Sequence, residues 1–156
     1  MNPTEIKSLI HSPLWIASLL RSYISGAQDI KSEGINFELT FLALPFLLND
    51  SAIKYLESGN KNSNISKIMT NHDLRSTFVN IRGLVEYYKP ITKKGIIALS
   101  LIDSIEISNS IRLLTKYKYS QESNDYKKKH YKAAYNLGAI LAKEDPLELL
   151  VKFGVY

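Results

Sequence analysis

The stretch Leu39-Thr40-Phe41-Leu42-Ala43-Leu44-Pro45-Phe46-Leu47-Leu48 constrains this chain more than any other. A helix with no polar face must be surrounded by protein or by lipid. A bilayer span needs about 20 apolar residues. This run is half that length and is broken by Thr40 and Pro45. It is therefore expected at the centre of a folded domain, as a helix over residues 37–48 that Asn36 caps and Pro45 kinks or ends. A chain of 156 residues can supply the surrounding shell. At that size one domain buries roughly two-thirds of its unfolded surface and needs no metal or disulfide staple.

The remaining segments read as helices separated by short turns. Ser12-Pro13 opens a helix carrying Leu14, Trp15, Ala17, Leu19, Leu20, Tyr23 and Ile24, with Gly26 or Gly34 expected to end it. Short helices are expected over residues 52–57 and 65–71, on either side of the loop Gly59-Asn60-Lys61-Asn62-Ser63-Asn64. Asp73 caps a helix that should run to Tyr88, where Pro90 stops it. Thr92 then caps a short helix over residues 92–101. Ile105-Glu106-Ile107 and residues 111–115 alternate around Asn109-Ser110 and predict a β-hairpin. A helix over 125–143 carries Ala133, Ala134 and Gly138, small residues that admit a close neighbour. Asp145-Pro146, with Glu148 three residues after the cap, starts the last helix. The expected fold is mainly α: a single helical domain over residues 1–156 with one small β-hairpin. Residues 65–116 follow the helix, helix, helix, hairpin order of a winged helix.

The net charge is +5, and one segment accounts for it. Residues 112–132 hold Arg112, Lys116, Lys118, Lys127, Lys128, Lys129 and Lys132 against Glu122 and Asp125, an excess of five. Such a stretch is either a solvated face or a surface for nucleic acid or an acidic partner. The interleaved Tyr117, Tyr119, Tyr126 and Tyr131 could bond to phosphates or stack on bases. On a winged-helix reading, the helix over 92–101 offers Lys93, Lys94 and Ser100. These suit phosphates better than base edges, so any contact with double-stranded DNA is expected to be non-specific. The apolar anchors Trp15, Phe37, Phe41, Phe46 and Phe153 are core residues on the plain reading and partner-interface residues on the functional one.

Residues for chemistry are scarce. The absence of cysteine removes disulfides, thiolate nucleophiles and zinc–thiolate sites. His11, His72 and His130 have no ligand-like neighbour at helical spacing, and the seven glycines are isolated, so no phosphate loop exists. Asp103 and Glu106 are the best pair for a metal-dependent nuclease, and no third member is evident. No catalytic, cofactor or metal residues are expected. The N-terminus Met1-Asn2-Pro3-Thr4-Glu5 lacks a basic then apolar segment, which predicts a cytoplasmic protein without a membrane span.

Several segments taken together resemble a known family. Ser12-Pro13-Leu14 with Leu19-Leu20 and Gly26 is similar to the "NP…LL…GY" opening of the middle components of three-component ABC-ATPase systems. Phe37 and residues 41–48 resemble that family's "PF.LAFLVLPLVLH" signature. Leu74-Arg75 with Phe78, Arg82 and Leu84-Val85 resembles "LR..FA.RA..LV". Leu137-Gly138-Ala139 and Phe153-Gly154-Val155 resemble "LG.WF……LLGV". The resemblance implies a non-catalytic accessory subunit of a bacterial anti-phage or anti-plasmid complex of the Lamassu type. Its implied partners are an SMC-like coiled-coil ATPase and an effector, often a nuclease. A free-standing winged-helix regulator is the alternative reading, and a small nuclease is a third.

Overall fold

A computed structural model describes residues 2–155. Helix α1 (Pro3–Ile10) starts at a reciprocal cap, in which Asn2 accepts from the Glu5 amide and Glu5 accepts from the Asn2 amide. None of its residues is buried. Helix α2 (Pro13–Gln28) follows. Ser12 holds its N-cap position without a side-chain bond, and Pro13 sits where a missing N–H costs nothing. Gly26 does not end α2, and the helix runs two residues past it.

Strand β1 (Ile35–Asn36) leads into the apolar run, which is not one helix. Phe37–Leu42 is a 3-10 turn capped by Asn36, and helix α3 covers only Ala43–Leu47. Pro45 falls in the first turn of α3, where backbone N–H groups have no partner inside the helix. It therefore neither kinks nor stops the element. As expected, the run is buried throughout residues 39–47.

Helix α4 (Asp50–Ser58) is capped by Asn49, and α5 (Ile65–Met69) by Asn64. The helix expected from Asp73 to Tyr88 is divided. A 3-10 turn at His72–Leu74 capped by Asn71 leads into α6 (Arg75–Val79), and the chain breaks at Asn80 (φ −105°, ψ 11°). Helix α7 (Ile81–Ile102) then continues through Pro90. A proline inside a helix costs about 3 kcal/mol. Here it lies on the exposed side, where water can reach the Glu86 carbonyl left without its N–H. Val85, Thr92, Gly95, Ile96 and Leu99 bury the opposite side and hold both halves in line. Thr92 is not a cap: its hydroxyl donates to the Tyr88 carbonyl one turn back, at 3.0 Å.

Strands β2 (Ile105–Ile107) and β3 (Ser110–Leu113) form the expected hairpin, with Glu106 opposite Arg112. The sheet has a third member, since β1 pairs antiparallel with β3 and the order is β1-β3-β2. A 3-10 turn at Tyr119–Gln121 precedes helix α8 (Asp125–Ala142), capped by Asn124, and helix α9 (Pro146–Lys152), capped by Asp145.

Helix α2 is the axis of the fold, with α7 and α8 packed against it. At the α2–α8 crossing the backbones touch. A Cβ on Gly26 would stand 1.9 Å from the Tyr135 carbonyl oxygen, and one on Gly138 1.8 Å from the Tyr23 carbonyl oxygen. Two glycines facing each other's backbone let the helices meet at this distance. Tyr23 is fully buried beside them and donates to the Leu39 carbonyl at 2.7 Å, tying α2 to the 3-10 turn. Burial pushes its hydroxyl far above the ordinary tyrosine range. Asn136 of α8 donates to the carbonyls of Leu56 and Gly59, closing the end of α4. The buried apolar side chains form one cluster running from Ile16 to Phe153.

Candidate functional site

The basic stretch leaves the sheet at Leu113 and enters α8 at Asp125. Together these elements wall an open cleft of about 640 Å³. Arg112, Lys116 and Lys118 line it from the strand and loop, Gln28 and Asp29 from the end of α2, and Tyr135 from α8. Gln28 forms the floor. Its amide donates to the Leu113 carbonyl at 3.1 Å and accepts from the Leu113 N–H at 2.8 Å, as a neighbouring strand would. The Tyr135 hydroxyl donates to the Asp29 carboxylate. Burial first, and then that bonded carboxylate, push the Tyr135 hydroxyl well above its ordinary range.

The charges differ in how free they are. Arg112 is clamped by Glu106, Nε to Oε1 at 3.1 Å and Nη2 to Oε2 at 3.4 Å, the one ion pair among the described residues. Lys116 and Lys118 are exposed. Behind the loop, the Arg21 guanidinium lies 4.1 Å from the Tyr117 ring centre, and its Nε is buried without an acceptor.

The expected nucleic-acid residues fall into three groups. Arg112, Lys116 and Lys118 converge on the cleft. Lys127, Lys128 and Lys129 are exposed on the first turns of α8, with Lys132 half-buried. Lys93 and Lys94 are exposed on α7, a helix that packs against α2 and not against the cleft.

The expected partner-interface residues also divide. Phe41, Phe46 and Phe153 are buried in this chain, and Phe78 links the last two by ring contacts of 5.6 and 5.5 Å. Trp15 and Phe37 keep partial exposure. Trp15 packs on Tyr126, His130 and Tyr131 at centroid distances of 6.3, 5.6 and 5.8 Å.

The sequence reading missed two features. Asp29 and Tyr135 lie 106 positions apart and Gln28 and Leu113 85 apart, so nothing local marks them as neighbours. Helix α1 exposes Ile6, Leu9 and Ile10, a stripe at helical spacing that the 45% apolar composition conceals.

The two carboxylates considered for nuclease chemistry each have a partner. Glu106 holds Arg112, and Asp103 accepts from the Ser104 amide. Among the described residues no three His, Asp or Glu side chains stand together as metal ligands. His11 packs edge-on to Tyr87 and Tyr88, and His130 donates to the Tyr126 carbonyl at 2.8 Å. Burial, and then Lys7, hold the His11 imidazole below its ordinary pKa. Among the described residues no helix is long and apolar enough to cross a membrane.

These observations define a class: a mainly helical protein with a small three-stranded antiparallel sheet and a tyrosine- and lysine-lined cleft. The particular family follows from a match to the ABC-three component (ABC-3C) system Middle Component 3 model over residues 2–156. The chain belongs to that family, the middle components of three-component ABC systems. No curated protein and no solved structure matches it.

Proposed function

We propose that this chain is a non-catalytic, cytoplasmic accessory subunit of a Lamassu-type, SMC-like ATPase complex acting against phage or plasmid DNA. It bridges the ATPase and an effector subunit, and its basic stretch contacts DNA. The observation that carries the reading is family membership across nearly the whole chain. The surface supports it. The stripe of Ile6, Leu9 and Ile10 on α1 is left uncovered, and so are Ile97 and Leu101 on α7, the latter 82% exposed. Apolar faces of this kind mark contacts with other proteins.

The test is co-expression with an SMC-like ATPase and an effector of the same three-component system. The three proteins should elute together in size-exclusion chromatography. Leu9→Glu with Leu101→Glu should release this subunit while its circular dichroism stays unchanged. A chain that elutes as a lone monomer beside both partners overturns the proposal.

A further inference from the structure

We infer that the cleft between α2, the β3–α8 loop and α8 is a binding site for a single strand of nucleic acid. This rests on the reading above that the basic stretch meets nucleic acid, and adds which form is bound and where. Four observations converge on it.

The first is backbone. Beyond Leu114 the chain leaves the ladder, and the amides of residues 115–118 have no backbone partner among the described residues. Residues 115–118 all line the cleft, and amides without a backbone partner are the donors that phosphate oxygens need. The second is charge. Among the described residues Lys116 and Lys118 form no ion pair, and Arg21 stands behind Tyr117 with a buried Nε that has no partner there. The Asp29 carboxylate lies on the α2 side, held by Tyr135. It repels phosphate there and leaves the loop side as the cationic track.

The third is aromatic surface. Tyr117, Tyr119 and Tyr135 all line the cleft, with Tyr119 and Tyr135 at 5.1 Å and tilted by 49°. Rings beside unpaired cations suit a chain of alternating bases and phosphates better than an acidic peptide. The fourth is size and continuity. A volume of about 640 Å³ takes a strand or a small ligand, and not a duplex. Lys132 and Lys128 precede Tyr135 by three and seven residues on α8, so they lie on its side of the helix. They extend the track by about 10 Å.

The experiment is fluorescence anisotropy on the intact chain with a labelled 12-nucleotide thymidine strand. Its competitors are a duplex of equal length, thymidine monophosphate and polyglutamate. The single strand should bind at least tenfold tighter than the duplex. Four phosphate contacts give a log–log salt slope of about −2.8. Lys116→Gln with Lys118→Gln should flatten the slope by about 1.4. Tyr119→Leu should weaken binding about tenfold with the slope unchanged, a split that general destabilisation does not produce. Equal binding of strand and duplex, or a slope indifferent to the lysine pair, overturns the inference. So does displacement by polyglutamate at matched charge. Thymidine monophosphate binding as tightly as the strand replaces it with a free-nucleotide site. Because the isolated chain is measured, loss of co-elution with the ATPase leaves this result standing, and the reverse also holds.

Discussion

Alanine at the α2–α8 crossing tests whether backbone contact between two helices is the central fact of this fold. A methyl at Gly26 would sit 1.9 Å from the Tyr135 carbonyl oxygen, and one at Gly138 1.8 Å from that of Tyr23. Close carbon–oxygen contacts lie near 3.3 Å, so the helices must part by about 1.4 Å to admit either. Both obstacles are helix backbone and cannot rotate aside. Overpacking a tight core costs about 1–3 kcal/mol, and the upper end applies where nothing can yield. Alanine restores up to about 1 kcal/mol of helix propensity. The steric term wins, leaving each variant about 2 kcal/mol less stable, a Tm lower by about 4–8 °C for a chain of this length. Gly83 supplies the opposite control, because a Cβ there meets nothing within 4 Å on the exposed side of α7. Gly83→Ala should raise Tm by about 1–4 °C through propensity alone. Thermal melts followed by circular dichroism separate the cases. If Gly26→Ala and Gly138→Ala melt with Gly83→Ala, the helices do not meet backbone to backbone at this crossing.

Further expectations follow from single features. Pro90→Ala should stabilise the chain by about 2 kcal/mol, seen as a higher urea midpoint, since it restores an amide for the Glu86 carbonyl without touching a buried side. Tyr23→Phe strands the buried Leu39 carbonyl and should lower stability by about 1–3 kcal/mol in the same assay. Stability should also depend on pH through His11. Its folded pKa is held below the ordinary 6.5 by burial and by Lys7, so the unfolded chain binds more protons around that pH. The contribution is present above pH 6.5 and fades as pH falls through the lowered folded value. Comparing melts from pH 7.5 to 5 for the parent and His11→Asn should show a steeper acid loss in the parent. Parallel curves would falsify the assignment to this ring.

Some of this was legible in the residues and some was not, for reasons that differ by element. Helix α8 could be read because a cap, a polar first turn and small residues at helical spacing all agree from Asn124 onward. The hairpin could be read from alternation at Ile105 and Ile107. Pro90 misled, since local propensity argues for a stop and only packing by Val85, Ile96 and Leu99 overrides it. Asn80 misled in the other direction, ending a helix inside an unbroken apolar pattern. Strand β1 is two residues long and has no period to detect. At the candidate site, the basic half was visible as a run of lysines. The half contributed by Gln28, Asp29 and Tyr135 was not, because tertiary structure alone brings them there.

The floor of the cleft has a consequence for how the protein keeps to itself in a crowded cell. A short sheet normally invites foreign strands to its rims. On the β1 side of Leu113 the rung is already occupied by the Gln28 amide, whose position is fixed by the last turn of a buried helix. An intruding strand would have to displace the Gln28 amide from both of its bonds to Leu113. One glutamine thereby does the work of a protective edge, and Gln28→Ala should show its loss as aggregation before it shows as unfolding.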